Sequence, residues 1–133
     1  SRRVLILRMD AQFFFGNVAY LKDTLYQRLD EARDAVALVL DASSMNALDS
    51  TAADTYAELV GELRRQRVEI FISHVKGSVL RVMADTGLVE LLGEGHIYYE
   101  VDDAVQAALR HREAVEAGVR LEEEEFGPSD LLD

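Results

Sequence analysis

The chain has 133 residues, about half of them apolar, so it holds one domain with a single core and is too short for two. Fourteen basic against 25 acidic residues give a net charge of −11, which excludes nucleic-acid binding through a general basic face and disfavours adsorption to anionic lipid. No cysteine is present, so disulfides, thiolate metal sites and cysteine nucleophiles are excluded.

Along the chain, Val4-Leu5-Ile6-Leu7 reads as a strand, and Phe13-Phe14-Phe15-Gly16 as a brief strand or a turn that plugs the core. Asn17 is placed to cap a helix whose apolar residues Val18, Leu21, Leu25, Leu29 and Ala32 follow the 3.6-residue period. Val36–Leu40 is apolar without interruption, as a central strand covered on both faces should be. A second helix carries Ala52, Ala53, Tyr56, Leu59, Val60 and Leu63 on one face and Glu58, Glu62, Arg64 and Arg65 on the other. Val68–Ile72 is a third strand. Ser78 is placed to cap a third helix, with Val79, Leu80, Val82 and Met83 inward, Gly87 as its stop and Leu88 as the apolar contact beyond.

Ile97-Tyr98-Tyr99 is a strand, and Asp102 or Asp103 starts a last helix that uses Val105, Ala108, Leu109 and Val115. From Gly118 the pattern stops: Glu122–Glu125 repel one another, and Pro128, the only proline, interrupts the remainder. Six acids against Arg120 place −5 of the charge in 118–133 and leave −6 for the rest. Residues 118–133 are expected to form a disordered acidic tail, solvated along Glu122–Glu125, with Phe126 and Leu131-Leu132 as the alternative of a short docking motif. Strands alternating with helices define an α/β layer fold, with four helices and no internal repeat. No apolar run approaches the roughly 18 residues that cross a bilayer. The start at Ser1-Arg2-Arg3, without Met and followed at once by a strand, reads as an excised piece of a longer chain.

Signatures of catalysis are missing: there is no G-x-G-x-x-G, Walker loop or G-x-S-x-G elbow. Gly93-Glu94-Gly95 precedes a short strand and is a turn. His74 ends a strand, His96 begins one and His111 sits on the polar side of the last helix. Their spacing gives no metal site, and solvated or capping roles are expected. The β-strand at 36–40 runs into Asp41-Ala42-Ser43-Ser44, and Leu48-Asp49-Ser50-Thr51 opens the next helix. Asp49 or Ser50 is expected to cap that helix by accepting a first-turn N–H. The same turn exposes Ser50 and Thr51 beside a carboxylate, where partner docking or phosphorylation would alter the surface charge sharply. Asp41 and Ser43 either cap the turn after the strand or face a ligand at its C-terminal end, the capping role being favoured.

Three segments resemble the STAS domain, shared by bacterial anti-sigma-factor antagonists and the cytoplasmic C-termini of SulP-type anion transporters. The resemblance covers about residues 4–114. Val4–Arg8 with Ala11-Gln12-Phe13-Phe14-Phe15-Gly16-Asn17-Val18 is similar to the opening of the transporter branch; Val39–Ser43 through Asp49-Ser50-Thr51-Ala52 is similar to the family's central D-x-S…D-S-[ST]-[GA] segment; Leu80-Arg81 through Thr86-Gly87-Leu88 is similar to its third helix and glycine stop. Two departures stand out. Ala52 replaces the glycine usual in the antagonists, whose phosphorylated position aligns with Thr51, and Met45-Asn46-Ala47 is more polar than the usual stretch.

The resemblance implies a STAS-like mixed β-sheet flanked by about four helices over residues 1–117, with Asp49, Ser50 and Thr51 on an exposed recognition surface. It implies no catalytic residue, no metal and no obligatory cofactor, with nucleotide binding as an occasional property of the family. The role it implies is regulatory: a domain on the cytoplasmic face of a bacterial inner-membrane transporter of sulfate, bicarbonate or a dicarboxylate. Its partners would be the membrane domain of the same chain, a second copy or a cytosolic regulatory protein, with no nucleic acid. The alternative is a free-standing anti-sigma-factor antagonist that acts as a phosphorylation switch.

Overall fold

Seven consecutive buried residues, Ala35–Asp41, form the strand around which the chain is assembled. The computed structural model describes residues 2–8 and 18–125. In chain order they form β1 (Arg3–Arg8), α1 (Val18–Glu31), β2 (Ala35–Asp41), α2 (Ser50–Arg65), β3 (Glu69–Ser73), α3 (Gly77–Asp85), α4 (Leu88–Leu92), β4 (Ile97–Tyr98) and α5 (Val101–Glu125). The strands lie in the order β1-β2-β3-β4, and every pair is parallel. No antiparallel pair occurs among the described residues. Phe13–Phe15 and Asn17, read as a strand or turn and a helix cap, lie outside them.

Parallel neighbours need crossovers, and helices supply them. Side chains alternate along β2, so Leu38 and Leu40 face one side while Ala37 and Val39 face the other. The first side carries the larger core, where Leu21 and Leu25 of α1, Leu59 and Leu63 of α2, and Val79 and Met83 of α3 close over Leu38, Leu40 and Ile70. The second side is covered by α5, which seats Ala104, Ala107 and Ala108 on Ala37, Val39 and Phe71. Alanines let the helix axis approach the sheet closely. Val105, Leu109 and Val115, expected inward from apolar spacing, are half-buried at the flanks of that stripe.

The α3 region differs from its sequence reading in three ways. Lys76 holds the cap position and Ser78 lies inside the first turn, with no side-chain cap bond. Leu80 is exposed, because burial of Val79 and Met83 on one helical face turns position 80 outward. Gly87 is the stop, at φ +84°, where an added Cβ would meet nothing, so its role is purely conformational. Beyond it the chain re-enters a helix, α4, that apolar periodicity over five residues could not announce. The end of α4 is held by the Arg64 guanidinium, which donates to the carbonyls of Leu91 (2.6 Å) and Leu92 (2.8 Å) and pairs with Glu69 at 2.8 Å. The backbone of α5 continues through Gly118 to Glu125, since Glu, Arg and Leu favour helix even without an apolar stripe. Among the described residues no helix is long and apolar enough to cross a membrane.

Candidate functional site

The β2–α2 connection leaves the sheet at the C-terminal ends of its parallel strands, the edge where α/β sheets present ligand-facing groups. It holds all five residues singled out in the sequence: Asp41 and Ser43 at the end of β2, and Asp49, Ser50 and Thr51 at the start of α2.

Asp49 is the N-cap of α2, with extended backbone, and its Oδ1 accepts the Ala52 N–H at 2.7 Å. Its carbonyl accepts the Ala53 N–H at 2.9 Å. The expected capping is therefore carried by Asp49, and Ser50 is the first helical residue. Ser50 and Thr51 are exposed, and their hydroxyls have no hydrogen-bond partner among the described residues. Two free hydroxyls thus stand at the positive end of a sixteen-residue helix. Replacing Asp49 by alanine should cost about 1 kcal/mol. A thermal melt followed by circular dichroism should show a midpoint lower by roughly 3–5 °C.

Asp41 is buried, and its surroundings are denser than the sequence suggested. Oδ1 accepts the Ser43 N–H at 3.0 Å, which makes the turn expected of a capping aspartate. The same oxygen lies 3.4 Å from His74 Nδ1, and Oδ2 lies 3.5 Å from Arg8 Nε. The other His74 nitrogen, Nε2, is 3.6 Å from Glu100, and its ring meets Tyr99 edge-on with centroids 6.4 Å apart. Burial would raise the Asp41 pKa, but the Ser43 N–H and hydroxyl and the His74 ring outweigh it and hold the carboxyl below its ordinary value. His74 also takes a left-handed backbone, φ +58°, uncommon outside glycine. It is therefore a bridging residue between β2 and the start of α5, where a solvated or capping role was expected.

The parallel register explains the assembly. Arg8 pairs with Asp41, and Asp41 with Ser73, so strand-end residues far apart in sequence meet at one level. Aligning the strand ends would have disclosed Arg8. His74, Glu100 and Tyr99 have no comparable sequence signal. Ser73 next to His74 is fully buried and its hydroxyl has no partner among the described residues.

Lys76 reaches the same surface from the other side, its ammonium donating to the Asn46 side-chain carbonyl and joining the β2–α2 connection to the start of α3. Below the surface, Met45, Leu48, Tyr56 and Met83 line an apolar cavity of about 30 Å³, room for little more than one water. Burial pushes the Tyr56 phenol up to about 12. Among the described residues no hydroxyl is hydrogen-bonded to a histidine, and no group of His and acids is arranged to hold a metal. The arrangement can present hydroxyls and carboxylates to a partner.

The other two histidines serve packing. His96 stacks on Phe71 with centroids 4.6 Å apart, and its Nδ1 lies 2.8 Å from the Ile70 carbonyl. His111, expected on the polar side of α5, is half-buried, its ring 6.1 Å from that of Phe71.

Comparison with known proteins adds the following. The family model described as STAS domain matches residues 1–104. The chain is similar to the probable sulfate transporter 4.2 of Arabidopsis thaliana, 27% identical over 118 residues that make up 81% of this chain and 17% of that protein. It is similar also to the chloroplastic sulfate transporter 4.1 of the same plant, 29% identical over 119 residues with the same coverage. The chain thus spans about a sixth of the length of the curated relatives it matches. The solved STAS domain of a SulP transporter from Vibrio cholerae superposes with a TM-score of 0.70 at 22% identity, over 86% of this chain and 87% of that one. That likeness carries the fold, an α/β sheet flanked by helices as the sequence resemblance implied; among the described residues the helices number five and the strand pairs are all parallel.

Proposed function

We propose a function from one premise: the chain belongs to the STAS domain family. Its role is that of a regulatory and protein-interaction domain on the cytoplasmic face of a SulP-type secondary anion transporter whose membrane part carries sulfate, bicarbonate or a dicarboxylate. The observation that carries this reading is the relatives themselves: both are named sulfate transporters, and the matched region is 17% of each. The remaining length of such a protein would include the membrane domain, the first partner of this chain.

The domain does no bond-breaking chemistry in this reading. It acts through contacts at Asp49, Ser50 and Thr51, two of which offer free hydroxyls at a helix start. A phosphate on Thr51 or Ser50 would be tolerated by the positive helix end, yet would stand beside the Asp49 carboxylate and repel an acidic partner. Asp41 and Ser43 hold the loop that leads to this turn. Changing those contacts would bias the membrane domain.

The test is the size and location of the native protein. An antibody against this domain, applied to fractionated source cells, should detect a membrane-bound band several times the 14.9 kDa of this chain. A soluble band near that mass would overturn the transporter reading and turn the Thr51 position toward a free-standing phosphorylation switch.

A further inference from the structure

The opposite, N-terminal edge of the sheet carries a second feature, unrelated to the β2–α2 turn. There a cavity of about 350 Å³ opens between the strand starts and α5, lined by Arg2, Arg64, Arg67, Glu69, His111 and Val115 among others. Its charge is not balanced. Arg64 is committed to Glu69 and to the Leu91 and Leu92 carbonyls. Arg2 and Arg67 have no acidic side-chain partner among the described residues. Two arginines whose side chains are not ion-paired among the described residues therefore line one cavity, in a chain whose net charge is −11.

The backbone fixes this arrangement. Arg67 occupies the position after the α2 C-cap at φ +63°, held by its own N–H to the Arg64 carbonyl (2.9 Å) and by the Val68 N–H to the Leu63 carbonyl (2.9 Å). Glycine is the usual occupant of that left-handed position, so a long cation stands where the helix stop alone would favour no side chain. Arg2 is set by its backbone N–H, which donates to the Glu116 carboxylate on α5 at 3.3 Å. The His111 ring lies beside that of Phe71, tilted 55° to it with centroids 6.1 Å apart. Donors thus converge from three separate elements: the start of β1, the α2–β3 turn and α5.

We propose that this cavity binds a tetrahedral oxyanion, a sulfate or phosphate group, through the Arg2 and Arg67 guanidinium forks with His111 as third donor. Guanidinium forks match paired oxygens of such a group, and the site reads charge and shape because it offers no ring pair to stack a nucleobase. The group could be supplied as the free ion or as the phosphate of a lipid headgroup; the chemistry recognised is the same. This site does not depend on the transporter reading, and its test needs only the chain in hand, so either can fail without the other.

Backbone amide spectra of the chain are recorded during titration with sodium sulfate, sodium phosphate and, at matched ionic strength, sodium chloride. The expected result is saturable shifts at residues 2, 67 and 111–115 with sulfate or phosphate and none that saturate with chloride. Arg67→Gly should weaken binding about tenfold or more, the loss of one charge-assisted contact. It should melt no lower than the parent, because glycine suits that backbone, so unfolding cannot explain the loss. Arg65→Ala removes an equal charge outside the cavity and should leave binding intact. Co-sedimentation with phosphatidylcholine vesicles carrying phosphatidic acid separates the sources: Arg67-dependent sedimentation without saturable shifts from the free ions assigns the site to a headgroup. Absence of any saturable response to sulfate, phosphate or vesicles overturns the proposal, as does equal weakening by Arg65→Ala and Arg67→Gly.

Discussion

Leu63→Ala is expected to lower the free energy of unfolding by about 3 kcal/mol, as truncation of a fully enclosed leucine does where neighbours cannot collapse into the gap. Leu63 is fully buried near the end of α2, in the core built by α1, α2 and the sheet. Its carbonyl accepts the N–H groups of both Gln66 and Val68, so the backbone around it also turns α2 into β3. That double anchoring leaves the residue little freedom to move into the space its side chain vacates. Against a typical domain stability of about 5–15 kcal/mol, the loss is a large fraction. The midpoint of a thermal melt should fall by roughly 10 °C. In urea, the transition should move to lower concentration with an unchanged slope, the sign of lost packing in an intact native fold. A shift of only a degree or two would show that α2 does not pack as described.

The elements legible in the sequence are those whose signal is local. Val36–Leu40 announces a central strand because every residue is apolar, and all of β2 is buried. The α2 stripe Ala53, Tyr56, Leu59, Val60 and Leu63 is buried as its period requires. Asp49 caps α2 because the aspartate precedes the first helical N–H groups by the spacing its carboxylate can span. Gly87 stops α3 because few other residues take that backbone at no cost. The α5 stripe is legible only in part: Ala108 is buried as expected, but Ala104 and Ala107 carry little hydrophobic signal beside Val105 and Leu109. Of the surroundings of Asp41, the Ser43 turn is local and Arg8 is reachable by aligning the strand ends. His74 and Glu100 reach it through the end of β3 and the β4–α5 corner, and no spacing in the sequence encodes that meeting. The same holds for the cavity of Arg2, Arg67 and His111, which three distant segments build.

Asp41 gives the second large effect, and one that depends on pH. Its side chain is buried and accepts the Ser43 N–H, with His74 and Arg8 against its two oxygens. Arg8 is largely exposed, so its pairing at 3.5 Å adds little, and the Ser43 bond with the His74 contact carries most of the stabilisation. Asp41→Ala removes the acceptor and leaves the Ser43 N–H unpaired, a loss of about 2 kcal/mol at neutral pH. Asp41→Asn keeps an acceptor and loses only the charge, so it should fall between the variant and the parent. The sign of the pH effect follows from the lowered pKa. A carboxyl whose folded value lies below its unfolded value, ~3.9, stabilises fully above that value and progressively less as pH falls through the folded one. Parent stability should therefore drop more steeply than that of Asp41→Ala as pH is lowered from about 5 toward 2, and the two curves should draw together. Denaturant melts across that window decide it: curves that stay parallel would mean that Asp41 titrates alike in the folded and unfolded chain, and that the Ser43 and His74 contacts do not favour its charge.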